Sequence, residues 1–537
     1  MPTENKILLA LAAIFTVARF YVARLIGVFF IVLSPHDDHL MMSYSHLYGH
    51  FVQQEFTYNI PLMKDMGFPL FIQIVARSGI SYVDWLTILW VLVAALMTYL
   101  FVISTDCKNK KIWLLVYIFT LFIPIAFGYT GRRLYRQSFL SPMYFLTFEL
   151  IVIMFVISWK KIEMSLKRKT ALSVILGGVF TLTYYVKEDG IWLLICLVTA
   201  ALASLVGIIL NGEKIAKNAL LIVLPLIIFN VSTVFYKSVN EHFFGVYLIN
   251  NRTEGQLGQF VKNAYKIKSP NRTSKIWAPP DVVEKMFEVS PTLAGQERLK
   301  DFVLHTGWCR GDMKENPVKG DFLTWVMLVE LCNSGTCKTA TEQEEFLGKV
   351  NQEIDEAFKN GKLEKEDKIQ LVSSMGGYSW AEIWELRELI LQIYQSHLLT
   401  EAYDSELDKA QALYPPNGEE EFKEVVRQVS KTLNWDLTKE SNNVEERKKV
   451  ATGIFTLYKV LNTILFAAAI IAMFKKLKDK INYVICAGFL ILSLAYALAI
   501  SWFSYFIGWG AAVYYSNGIV PMLTIFEILG SYRLIGE

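Results

Sequence analysis

Ten runs of apolar residues, each about the 17 to 25 residues that carry a helix across a hydrocarbon core roughly 30 Å thick, constrain this chain more than any other feature. They lie near residues 7–33, 84–103, 112–128, 142–159, 170–186, 190–210, 219–236, 451–474, 481–505 and 512–530. A backbone in lipid must satisfy its own hydrogen bonds, so runs of this length predict an α-helical polytopic membrane protein of about ten spans. Composition agrees, since 53% of the 537 residues are hydrophobic and only 19% are charged. The net charge of +3 is small, and no basic run interleaved with aromatics marks a nucleic-acid face.

The short loops sort by basic charge. Lys108, Lys110 and Lys111 follow the second run, and Lys160, Lys161, Lys167, Arg168 and Lys169 follow the fourth. Lys214 and Lys217 follow the sixth, and Lys475, Lys476, Lys478 and Lys480 follow the eighth. By the positive-inside rule these loops and both termini are cytoplasmic. The first run is too long for a signal-peptide core and lacks a small-residue cleavage site, so it reads as a retained span.

Three segments then face the other side: a first loop at 34–83, a short second loop near 129–141, and a polar insert at 237–450. The insert is long enough for its own core and its amphipathic patterns are mainly helical, as at 341–360 and 380–399. The expected organisation is a membrane core at 1–236, an extracytoplasmic soluble domain at 237–450 and returning spans at 451–537. Cys309, Cys332 and Cys337 fall in the insert, where an oxidising compartment allows one disulfide, with Cys332 and Cys337 the closer pair. Trp277, Trp308 and Trp325 lie there too, suited either to a domain core or to stacking on a sugar ring.

The first loop opens with Ser34, Pro35, His36, Asp37, Asp38 and His39, where the first helix leaves the membrane. An acidic pair before an apolar run is a helix cap on one reading. On another it is a general base at the water–lipid boundary, where partial desolvation raises a carboxylate's pKa. A metal site would need further ligands, because the four residues are too close in sequence for all to converge. Two amphipathic stretches follow, with Tyr58, Asn59, Lys64, Gly67, Phe68 and Pro69 between them.

Two interfacial helices between the first and second spans, headed by an acidic pair, resemble the C-type superfamily of membrane glycosyltransferases. The order of Asp37-Asp38, then Lys64 with Gly67-Phe68-Pro69, then Arg133 with Tyr135-Arg136, then Lys187-Glu188-Asp189-Gly190, is similar to a group of bacterial multi-pass proteins of that superfamily. In the insert, Tyr247 to Asn251, Val289-Ser290-Pro291 and Phe322 to Trp325 extend the likeness to roughly residue 360. His36 stands where an aromatic is more usual.

The resemblance implies transfer of a sugar from a polyprenyl-phosphate donor to a cell-surface glycan, polymer or lipid-linked acceptor at the extracytoplasmic face of a bacterial cell membrane. It gives Asp37 the acceptor proton and makes Asp38 a positioning group or the ligand of a divalent metal, Mg or Mn. Arg132, Arg133 and Arg136 suit the donor phosphate, since guanidinium groups bind phosphate oxygens in pairs, and Lys64 and Lys187 are further donors to it. A basic cluster touching lipid headgroups is the plainer reading of the same residues. His36, His39, Tyr58 and Glu188 complete the candidate site. No Walker loop, dinucleotide fingerprint or Gly-x-Ser-x-Gly elbow is present. The rival expectation is a transporter or flippase of lipid-linked glycans, which calls for broken helices and ionisable groups near mid-membrane; the sequence places its charge at one surface.

Overall fold

The computed structural model describes residues 3–28, 41–42, 45, 62–212, 215–305, 322–366, 379–404, 420–438, 444–475, 480–507 and 512–535. Among them there is no strand, only one isolated bridge between Ile267 and Lys365. The chain enters through α1 (Thr3–Ile26) and, after the amphipathic α2 (Gly67–Ser78), runs through α3 (Tyr82–Thr105), α4 (Lys110–Leu121), α5 (Arg136–Lys160), α6 (Leu166–Tyr184), α7 (Ile191–Leu210) and α8 (Ile215–Phe244). The insert supplies α9 (Gly255–Lys266), α10 (Phe322–Asn333), α11 (Ala340–Lys359), α12 (Trp380–Leu398) and α13 (Glu420–Leu433). The chain returns through α14 (Val444–Phe474), α15 (Lys480–Ile507) and α16 (Ile519–Ile535).

Among the described residues eight helices are long and apolar enough to cross a membrane, not ten. The two others are α4, whose 12 residues rise only about 18 Å, and α6, which opens with Lys167, Arg168 and Lys169. The bundle is built around α5, whose apolar window is 94% buried, whereas α1 turns Ile7, Leu9, Ile14 and Val17 outward in the manner of a lipid-facing helix.

Hydrogen bonds tie the helix ends into two opposite faces. At one, Lys160 Nζ donates to Asp106 Oδ2 at 2.9 Å, Asn482 Nδ2 to the Ser104 carbonyl at 2.8 Å, and Asn211 Nδ2 to the Ser158 carbonyl at 2.9 Å. This face gathers Lys108, Lys110, Lys111, Lys161 and Lys169, the basic loops that the sequence pattern groups together. At the other, the Arg132 guanidinium donates to the carbonyls of Gly27 at 2.7 Å and Ala23 at 2.5 Å, at the end of α1, where the Ala23 carbonyl also accepts from the Gly27 N–H at 3.0 Å. There the Gly67 N–H also meets the Tyr185 carbonyl at 2.6 Å. A Cβ at Gly67 would stand 2.4 Å from that oxygen, so only glycine lets α2 lie this close to the end of α6.

The insert divides its contacts. Its first part packs α9 against α11 over Leu257, Phe260, Ala264, Leu347, Val350 and Ile354, with Trp277 buried beside Tyr265. Trp277 is thus a core residue. The second part lies on the membrane helices: Tyr394 of α12 meets Ser493 of α15 at 2.5 Å, and Asn434 after α13 donates to the Val75 carbonyl of α2 at 2.7 Å.

The expected disulfide is corrected. Cys332 and Cys337 are free thiols on either side of a tight turn that passes through Gly335 in the left-handed region. Burial pushes both thiols up to about 12, with each carrying a smaller contribution from a neighbouring group, so neither is a ready nucleophile. Cys309 and Trp308 lie outside the described residues.

Candidate functional site

Where α5 begins, cations from distant segments converge. Arg136, the first residue of α5, donates from Nη1 to Glu188 Oε2 at 2.6 Å and from Nη2 to the Tyr135 hydroxyl at 2.7 Å. Glu188 sits in the tight turn between α6 and α7, and its Oε2 is also 4.0 Å from Arg252 Nη1, in the strand-free stretch after α8. Trp325 of α10 then joins the insert to the membrane core, with Lys64 Nζ 4.6 Å and the Arg252 guanidinium 5.3 Å from its ring centroid. Ring contacts of this length are attractive to cations.

Aromatic rings extend the cluster on its other flank. The Arg133 guanidinium lies 5.0 Å from the Tyr135 ring, 5.8 Å from Tyr129 and 6.0 Å from Tyr514, and donates to the Tyr514 hydroxyl at 3.0 Å. Lys187 pairs with Asp189 at 2.5 Å and stands 5.0 Å from the Tyr515 ring. Lys64, Arg136 and Arg252 therefore gather about Glu188 and Lys187 about Asp189 at one end of the bundle, with Arg133 beside Arg136 at the Tyr135 ring. Arg132 is not among them, because it is buried against the end of α1.

The carboxyl groups here differ in character. Burial disfavours a charge on Glu188, but Arg136, Lys64 and Arg252 outweigh it and hold this carboxyl well below the usual carboxylate range. Asp65, beside Lys64 and 2% exposed, goes the other way. Burial and the nearby Glu188 charge push it well above its ordinary value, against the hydrogen bond that Asn250 donates at 2.7 Å and the charges of Arg136 and Arg252. Burial and the Glu188 charge thus favour the protonated form of Asp65, whereas Glu188 and Asp189 are each paired with a cation.

Asp65 gives a pH prediction. Its folded pKa lies above its unfolded value near 3.9, so its proton contributes stability at low pH that is lost as pH rises through the folded pKa. Glu188 has the opposite sign, and its contribution is lost as pH falls. Asp65→Asn keeps an acceptor for Asn250 and removes the ionisation. Its melting temperature is expected to match or exceed that of the natural protein at pH 8, with the gap closing toward pH 5. A variant several degrees less stable at pH 8 would show that Asp65 is a charged partner of Arg136 and Arg252.

Of the residues singled out by sequence, the structure brings together Lys64, Arg133, Arg136, Lys187 and Glu188 and sets Arg132 apart. Asp37, Asp38, His36, His39 and Tyr58 lie outside the described residues. Among the described residues no group of His, Cys, Asp or Glu could hold a metal ion. Arg252, Asp65, Tyr514 and Tyr515 were not anticipated; Arg252 follows directly on Asn250-Asn251, the one signal that could have found it.

The expectation that charge is confined to one surface is corrected too. Arg19 on α1, Glu149 on α5, and Glu527 and Arg533 on α16 are buried inside membrane helices at 0 to 4% exposure. Single charged residues inside long apolar runs do not disturb hydropathy enough to stand out in the sequence. No protein-family model, no curated protein and no solved structure matches this chain.

Proposed function

We propose that this protein is a membrane glycosyltransferase of the C-type architecture, crossing the membrane ten times when α4 and α6 are counted. It moves a sugar from a polyprenyl-phosphate donor to a cell-surface glycan, polymer or lipid-linked acceptor, on the extracytoplasmic side of a bacterial cell membrane. The observation that carries the reading is the convergence of Lys64, Arg133, Arg136, Lys187 and Arg252, from four separate stretches of chain, at the helix ends opposite the basic loops. Such a cluster fits a phosphate headgroup whose isoprenoid tail stays in lipid. Paired N–H donors there stabilise the charge that builds on the departing phosphate.

In this reading Asp37 takes the acceptor proton while the acceptor oxygen attacks the anomeric carbon, and the sugar–phosphate bond breaks with inversion. Asp38 orients Asp37 or holds a divalent cation such as Mg or Mn. Arg133 and Arg136 hold the lipid phosphate, and Trp325 presents Lys64 and Arg252 to it. Arg132, placed against α1, has a packing role instead.

A second reading, transport of a lipid-linked glycan, gains from the buried Arg19, Glu149, Glu527 and Arg533, since intramembrane charges often mark pathways. Against it, Arg19 and Glu149 sit on unbroken helices, while the span that carries Glu527 and Arg533 is interrupted only near its start, by a 3-10 turn at Ser516–Gly518. Mass spectrometry of surface glycans from cells with and without the protein separates the two. Loss of one sugar from an otherwise exported glycan supports transfer, and loss of the whole glycan supports transport. Topology is the further check. A reporter fused near residue 300 is expected to be active outside, and fusions near 110, 165 and 478 inside; an insert found in the cytoplasm overturns the mechanism.

A further inference from the structure

Glu527 carries the clearest unexplained demand in the bundle. It lies on α16 within a membrane span, is 3% exposed, and its Oε1 has no hydrogen-bond partner among the described residues. Ionisable groups in such positions are retained for a ligand or a proton. Beside it lies a cavity of about 20 Å³, room for one particle the size of a water. Tyr403, Asn462, Thr524 and His397 supply its other polar walls and Ile123, Pro124, Leu398, Val520 and Leu523 the rest, and among the described residues no Lys or Arg lines it.

The hydrogen-bond chain behind Tyr403 fixes which way its hydroxyl points. Ser516 Oγ donates to the Val513 carbonyl at 2.7 Å, so toward His397 Nε2, 2.7 Å away, it can only accept. His397 therefore carries its proton on Nε2. Burial lowers its pKa to about 3, which keeps it neutral and leaves Nδ1 bare. That bare nitrogen accepts the hydroxyl proton of Tyr403 at 2.5 Å. With its proton directed away, Tyr403 has lone pairs left for the cavity. The Glu527 carboxylate, the Thr524 hydroxyl and the Asn462 amide carbonyl add further oxygen donors, and the neutral imidazole cannot balance the carboxylate.

We propose that this cavity binds one small monovalent cation of the size of Na⁺, held by Glu527, Tyr403, Thr524 and Asn462. Oxygen donors select a hard cation, and a single carboxylate matches one positive charge where a divalent ion would call for more. The ion would join α16 and α14 to the insert residues that follow α12 and to the Ile123–Pro124 strip. Gly128 on that strip packs on Tyr403, where an added Cβ would come 2.8 Å from the tyrosine Cβ, and Arg133 lies five residues farther on. The cation would thus brace the segment that carries the candidate site, whatever reaction that site performs.

The test uses the full chain purified into lipid nanodiscs, with ²²Na⁺ binding and melting temperature measured in NaCl, KCl and choline chloride at equal ionic strength. Saturable binding near one Na⁺ per chain is expected, with a melting temperature several degrees higher in NaCl than in choline chloride. Glu527→Gln should abolish both responses. Thr524→Val, which preserves volume, should weaken Na⁺ binding at least tenfold and keeps the test decisive if Glu527→Gln fails to fold. Identical behaviour in NaCl and choline chloride, with stability following pH alone, would mean a protonated Glu527 beside a water and overturns the proposal. So does an undiminished Na⁺ response in folded Glu527→Gln or Thr524→Val.

Discussion

Asp37→Asn is expected to leave the protein folded and membrane-inserted while lowering sugar transfer by about 10² to 10⁴, the usual cost of losing a general base. The amide has nearly the same shape and still accepts a hydrogen bond, so a helix cap at this position would survive the change with little loss. A base would not survive it. Asp38→Asn should cost less if that residue only orients its neighbour, and activity that responds to added Mg or Mn in the natural protein but not in Asp38→Asn would assign it the metal. The measurement is initial rate with a polyprenyl-phosphate sugar and acceptor in proteoliposomes, normalised to folded protein. Near-normal transfer by Asp37→Asn would make the acidic pair structural and move the search for a base to the described cluster, where Asp65 is the remaining unclaimed acid.

The sequence exposes membrane helices and the sharing of one face by the basic loops well, because both depend on local properties. An apolar run such as 190–210 has one cheap conformation in lipid, and the basic loops around Lys108, Lys160 and Lys169 are compared without knowing any tertiary contact. The weak cases share a physical cause. The segment read as a span at 112–128 breaks after Leu121, because Pro124 and Gly128 turn the chain before α5 begins. Arg132 and Arg133 are adjacent and look equivalent as residue types, yet one caps the carbonyls of α1 and the other enters a ring of tyrosines. Backbone direction separates them, and composition carries no record of it. Arg252 and Trp325 reach Lys64 and Glu188 across more than 60 residues of chain, so their roles emerge only when the insert folds against the membrane core. The Cys332–Cys337 pairing failed for a related reason: sequence proximity suggested a bond, while the turn between them leaves both as free, largely buried thiols.

Arginine-to-lysine changes at the cluster separate phosphate binding from simple charge. Arg136 already divides its donors between Glu188 and the Tyr135 hydroxyl, and Arg133 lies among three tyrosine rings with one donor on Tyr514. A planar guanidinium presents paired N–H groups that match two phosphate oxygens; a lysine ammonium has one nitrogen and cannot reproduce that geometry. Arg136→Lys and Arg133→Lys are therefore each expected to lower kcat/KM for the donor at least tenfold, or about 1.4 kcal/mol of transition-state stabilisation. Arg168→Lys, on the opposite face among the basic loops, serves as the control and should be silent. Arg132→Lys should show a third pattern, a lower melting temperature with near-normal kcat/KM per folded molecule, because its bonds are to the end of α1. A contact with lipid headgroups would respond only to charge, so Arg133→Lys and Arg136→Lys would be tolerated as well as Arg168→Lys. If Arg133→Lys and Arg136→Lys behave like Arg168→Lys, the phosphate assignment is wrong. If they behave like Arg132→Lys, the cluster holds the helices together, and the donor site must be sought around Lys64 and Lys187.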